Sequence, residues 1–239
     1  MSGYFRYFPM VNYKFGDETS EATFEDISIY ADVIDQISDA STVYEEYYIL
    51  PNERPDQVSE KLYGTPSLHW TFYLMNDGIR HQRWPVSNNK LFELVERAYP
   101  TRVITTKTKL TDKFKVGQTI TGTSSTATAK IGKRNLDIGQ LFLEDVDGTF
   151  TAGENVNSTN ANETVETINV TSFEFQYNTA HHYENALGQT VDIDPEVGPG
   201  AELTEITYLQ RVDRLNEANR QLKVIKPGSV NDIVKAFRD

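Results

Sequence analysis

The chain has 239 residues, 35 acidic against 23 basic, for a net charge of -12 and a pI near 4.8. That balance argues against nucleic acid as a partner, because phosphate contacts need clustered Lys and Arg. With no cysteine present, a disulfide framework, a Cys-ligated zinc site and a thiol nucleophile are excluded. No apolar run approaches the ~18–20 residues of a membrane span. The opening MSGYFRYFPM has neither the basic nor the apolar region of a signal peptide, so the expected site of synthesis is a cytosol-like compartment.

Residues 1–46 are aromatic in front and acidic behind. Tyr4, Phe5, Tyr7, Phe8, Val11, Tyr13 and Phe15 crowd the first fifteen positions. They suit either an edge strand on the chain's own core or an arm that docks on another subunit. Ten acidic residues follow between Asp17 and Glu46, a solvated face or a surface that seeks a basic neighbour. Ile27, Tyr30, Ile34 and Ile37 share one face of a predicted helix.

From Tyr47 to Leu50 a short strand is expected, stopped by Pro51 and Asn52. Pro55 then opens a helix with Val58, Leu62 and Tyr63 on one stripe, and Gly64 fits the left-handed position beyond it. Thr65-Pro66 caps a second helix, Ser67 to Asn76, with Trp70, Tyr73 and Leu74 at 0, +3, +4. Asn76-Asp77-Gly78 is expected to end it as a turn. Ser87 caps a further helix carrying Leu91, Leu94, Val95 and Ala98, closed by Pro100. His81, between Arg80 and Arg83, has no acidic neighbour in sequence and is assigned to a surface or interface.

Thr, Ser, Gly and Asn dominate from Thr101 to Ile168, where short alternating runs are separated by Gly and Asn/Asp turns. Phe114-x-x-Gly117-x-x-Ile120 recurs as Phe150-x-x-Gly153-x-x-Val156, with Ile131 and Ile168 trailing the two copies. Two copies of one β unit predict a small barrel or sandwich that closes to protect its edges. Phe173, Phe175 and Tyr177 alternate as a strand does. His181-His182 beside Glu184, Asp192 and Asp194 invites a metal reading, but the spacing places no two ligands on one helical face. A solvated or interface loop is preferred. A long helix is expected from Ala201 to Leu222, with Tyr208, Val212, Leu215, Ala218 and Leu222 in one stripe and Arg220 outside it. A short strand Lys223–Lys226 and a last helix capped by Ser229 and Asp232, with Phe237 on its apolar face, complete the chain.

The predicted class is α+β: a strand-helix-helix unit, an all-β insertion, then a long helix and a short one. The expected domains are 1–46, 47–100, 101–168 and 169–239. Strand, two short capped helices and the residues Tyr48, Arg54, Pro55, Leu62, Tyr63, Gly64, Pro66, Leu68, Trp70, Asn76 and Asp77 resemble the LysM-bearing baseplate wedge protein of T-even-type contractile-tailed phages (gene product fifty-three type). Trp84-Pro85 and the closing LNEANRQLKVIKPGSVNDIV resemble the same family, whereas 101–168 has no counterpart in it.

The resemblance implies a structural, non-catalytic virion protein, made in the host cytoplasm and placed in the tail baseplate. It would bind other wedge subunits and link neighbouring wedges around the hub in a sixfold assembly. Nucleic acid, membrane, cofactor, metal and small-molecule substrate have no part in that expectation. No Gly-x-Ser-x-Gly or phosphate-cradling loop suggests an enzyme. Tyr48, Leu62, Tyr63, Gly64, Pro66, Trp70 and Asn76 would hold the LysM-like unit. Candidate subunit contacts are Phe5, Tyr7, Phe8, Trp84, Tyr208, Val212, Leu215 and Leu222. The alternative is a LysM-type module binding peptidoglycan or chitooligosaccharide through the loops Pro51–Arg54 and Asn76–Arg80.

Overall fold

The structure is a computed structural model that describes residues 10–17, 19–26 and 43–236. Phe5, Tyr7, Phe8, the helix expected at Ile27–Ile37 and Phe237 lie outside the described residues. The class is α+β, as expected, and the chain forms two compact units. One comprises the chain up to Ser87 together with the chain from Leu215; the other is Asn88–Arg214.

The first unit opens with an antiparallel hairpin, β1 (Met10–Tyr13) and β2 (Ala22–Glu25). Then come β3 (Tyr44–Tyr48), α1 (Pro55–Tyr63), a 3-10 turn at Pro66–Leu68, α2 (Thr71–Met75) and α3 (Asp77–His81). Proline at the first position starts α1, and Gly64, at φ 68, ends it in the left-handed region that glycine reaches at least cost. Thr65 accepts the Ser67 N–H, again ahead of a proline. The single helix expected over Ser67–Asn76 is broken at Trp70. Asn76-Asp77-Gly78 does not end a helix as a turn but leads straight into α3.

The second unit holds α4 (Asn88–Ala98), which begins directly after Ser87, and a seven-stranded antiparallel sheet. Its strands are β4 (Arg102–Thr105), β5 (Thr119–Gly122), β6 (Thr128–Asn135), β7 (Gln140–Asp147), β8 (Asn155–Thr159), β9 (Val165–Asn169) and β10 (Ser172–Phe175), in the order β10-β4-β7-β6-β5-β8-β9. The expected barrel is not closed. The chain instead runs from one edge, β9, to the other, β10, through Val170 and Thr171 alone. Val170 N–H bonds to Glu154 O and Thr171 N–H to Thr105 O, which ties this link to the chain beside β8 and to β4.

The internal echo is real in three dimensions. Gly117 and Gly153 sit at φ 90 and 87. Gly117 N–H bonds to Ile131 O and Ile131 N–H to Gln118 O; Gly153 and Glu154 make the same pair with Val170. The structural counterpart of Ile131 is therefore Val170 and not Ile168, because the strands of the second hairpin pair over a longer stretch, Asn155 to Thr159 against Val165 to Asn169. Phe114, Phe150, Ile120, Val156 and both isoleucines fill one core. A three-stranded sheet follows, formed by β11 (Ala180–Glu184), β12 (Thr190–Val191) and β13 (Thr204–Thr207).

The helix expected over Ala201–Leu222 is shorter, α5 (Tyr208–Ala218). Thr204–Thr207, β-branched at all positions but Glu205, pairs with β11 instead. After α5 the chain forms β14 (Gln221–Ile225), then α6 (Pro227–Ala236), which starts at Pro227 and not at Ser229. β14 lies antiparallel to β3, from Gln221 opposite Tyr48 to Ile225 opposite Tyr44. The first unit is thus a strand-helix-helix-strand fold whose closing strand arrives after the whole second unit has been made.

Candidate functional site: a subunit interface

Tyr63, Trp70 and Asn76 hold the first unit together. Trp70 is 1 % exposed and packs with Leu68, Leu74, Ile225, Val230 and Val234. Tyr63 stacks on Phe72 at 5.9 Å and donates its hydroxyl to Ile225 O at 2.8 Å. Burial pushes that hydroxyl up to about 12. Asn76 works as an extra ladder rung: its side-chain nitrogen donates to Phe72 O and Lys223 O, each at 2.7 Å, and its oxygen accepts the Lys223 N–H at 2.9 Å. Leu62 packs half-buried beside Ile49, Val58 and Phe72. Pro66 and Gly64 set the two turns. Tyr48 is exposed, its hydroxyl 3.4 Å from Glu217.

Of the candidate contact residues, Trp84 is half-buried within the first unit. Its ring lies 5.9 Å from Phe72 and 6.4 Å from Tyr73, and its indole N–H donates to Glu53 O at 2.7 Å. Tyr208 is half-buried in the second unit, between Tyr99 at 4.9 Å and His181 at 4.8 Å. Val212 and Leu215 are half-buried on α5. Leu222 leaves that stripe altogether: it is on β14, 1 % exposed, in the core with Ile49 and Val58.

Two residues that sequence reasoning missed place the closing segment. Asn216, 5 % exposed, accepts the Val86 N–H and donates to Val86 O. Arg220, 4 % exposed, donates to Val86 O at 2.7 Å and to Glu217 at 2.7 Å, while its own carbonyl accepts the Ile49 N–H. Helical periodicity put Arg220 on the solvent side; the helix ends two residues earlier, and that changes which way Arg220 faces.

The His pair turns inward on its own neighbours. His181 Nδ1 lies 2.9 Å from His182 Nδ1, His182 Nε2 2.9 Å from Glu184, and Arg214 2.7 Å from the same carboxylate. Burial, then Arg211 and His182, lower the His181 pKa. Glu184 is already shared between a histidine and an arginine.

Glu154 and Glu166 are 6 % and 9 % exposed. Burial works to raise both carboxyls, yet hydrogen bonds outweigh it and both lie below the usual range. Glu154 accepts the backbone N–H groups of Ser124, Ser125 and Thr151 and the Ser125 hydroxyl. Glu166 accepts the N–H of Phe114 and the Asn160 amide. A general acid needs the opposite shift. These carboxylates tie loops together.

Apolar side chains also stand exposed on the hairpin. In the hairpin Met10 is 62 % exposed, Tyr13 56 % and Phe15 51 %. Phe15 meets Tyr13 at 5.0 Å and Phe24 at 5.6 Å, so the rings form one exposed patch.

Residues 5–100 match the family model of Base plate wedge protein 53. The matched span takes in the hairpin, β3 and the helices up to α4, less than half of the chain. It supports a phage baseplate wedge protein with a structural role in the virion tail, assembled with other baseplate proteins. No curated protein matches the chain. No helix among the described residues is long and apolar enough to cross a membrane.

Proposed function

We propose that this chain is a LysM-like structural subunit of a contractile phage tail baseplate. It binds other wedge subunits and links neighbouring wedges around the hub, in a sixfold assembly, without catalysing a reaction. The match over residues 5–100 carries this reading. The β3-α1-α2-β14 arrangement supports its LysM-like part, since β14 supplies the closing strand that the sequence lacks after Gly78. The segment 101–168 is proposed as an insertion absent from the compact family member, offering a further contact surface.

The glycan-binding alternative has less support. Its first loop is braced from within: Leu50 N–H and the Tyr47 hydroxyl both donate to Glu53, and Lys61 lies 3.3 Å from the same carboxylate. Glu53 O is taken by Trp84. In the second loop both ends of the Asn76 amide are spent on β14 and α2. Those groups are therefore not free to meet an N-acetyl sugar.

Co-expression with the wedge proteins of the same tail tests the proposal. Stoichiometric co-purification, with no heat of binding to chitooligosaccharide, is expected. A well-behaved monomer that ignores those proteins and binds the sugar would overturn it.

A further inference from the structure

Charge is strongly segregated along this chain. Between Asp17 and Asp26 there are five acidic residues and no basic one, whereas between Arg102 and Arg134 there are eight basic residues and a single acid, Asp112. In a protein at net -12, such a stretch is complementary in charge to the remainder of the chain.

The two stretches also match in shape and polarity. The acidic one belongs to the β1–β2 hairpin, where every residue of β1 is exposed. A two-stranded hairpin with water on both faces is marginal by itself, and this one carries the Tyr13–Phe15–Phe24 patch. Four of the eight basic residues, Lys107, Lys109, Lys113 and Lys115, lie on the loop before β5. Lys107, Lys109 and Lys115 on it are exposed and form no ion pair among the described residues, while Lys113 faces Glu166. Lys115 leads directly into Val116, at the rim of a shallow groove of about 790 Å³ over the outer face of β5 and β8. Val116 and Val165, 59 % and 62 % exposed, stand on that rim above Thr121 and Asn157. Aromatic rings with acidic residues beside them in the chain meet a groove whose apolar edge, Val116, adjoins Lys115; Lys107 and Lys109 precede it on the same loop.

We infer that the β1–β2 hairpin of one copy docks on the β5–β8 groove and lysine loop of a second copy. The contact is head-to-tail: each copy offers a hairpin to one neighbour and a groove to the other, which generates rings or open chains and not closed twofold dimers. The inference rests on the proposed subunit role only for the ring's setting. Self-association is measured with this chain alone, and binding to wedge proteins separately, so either can fail without the other.

Sedimentation velocity on the full chain tests it. Self-association should rise with concentration and weaken as salt rises from 50 to 500 mM. A loop variant (Lys107→Glu, Lys109→Glu, Lys115→Glu) and a hairpin variant (Asp17→Lys, Glu21→Lys) should each associate about tenfold more weakly. Mixed one to one, they should associate again, because the acidic hairpin of one meets the lysine loop of the other and the reversed hairpin meets the reversed loop. The chain carrying both sets of changes should associate again, which separates lost docking from lost folding. Association indifferent to every reversal would overturn the inference. So would a monomer at all concentrations whose hairpin cross-links to the groove of its own chain.

Discussion

The two units are built on opposite plans. In the second, three of the six pairings of the large sheet (β5–β6, β6–β7 and β8–β9) join strands adjacent in sequence, and a repeated Phe-x-x-Gly turn sets both halves. In the first, β3 waits for β14, with Tyr47 opposite Leu222 across the whole second unit. Local pairing can form early and alone, while distant pairing must first close a long loop. The second unit is therefore the self-sufficient one, and the first depends on the last twenty-odd residues.

Removing residues 215–239 gives the largest expected effect. The first unit should lose its protected amides in hydrogen exchange, while the amides of β5–β9 stay protected; equal loss in both would erase the distinction. Trp70→Ala should destabilise the first unit by about 3–5 kcal/mol and leave exchange in β5–β9 unchanged. Glu154→Gln acts in the other unit, at a cost of about 1.5–3 kcal/mol at neutral pH. The Glu154 pKa is lowered in the fold, so its contribution is present above the ordinary glutamate value and is lost as pH falls through the folded one. Thermal melts from pH 6 to pH 3 should fall steeply for the wild type and more gently for the variant. Asn76→Ala, which removes the side-chain rung to Lys223, should cost about 1–2 kcal/mol, read as faster exchange of the β14 amides. Gly64→Ala meets no neighbouring atom but must hold a positive φ, so about 1 kcal/mol is expected in urea melts.

The same contrast explains what could be read in the sequence. Proline at the start of α1, Gly64 at its end and the alternating Phe173 and Phe175 are local signals that led to the right elements, although Tyr177, expected on the same strand, falls in a 3-10 turn; the paired Phe-x-x-Gly motifs marked two hairpins of the sheet but not a closed barrel. The helix over Ala201–Leu222 failed because apolar spacing alone cannot see that Thr204–Thr207 has a partner in β11. Nor can it see that Leu222 has one in β3. Arg220 was misplaced with it. Trp84 was noticed through resemblance, but its bond to Glu53 O needs a fold in which residues far apart meet. The exposed rings of the hairpin were legible as a choice between core and interface; only their exposure favours the interface.

A cryo-electron microscopy reconstruction of the intact tail tests the central claim most directly. Density for this chain is expected in every sector of the baseplate, with the Tyr13–Phe15–Phe24 patch covered by a neighbouring subunit. A tail whose baseplate is complete without this chain would contradict it.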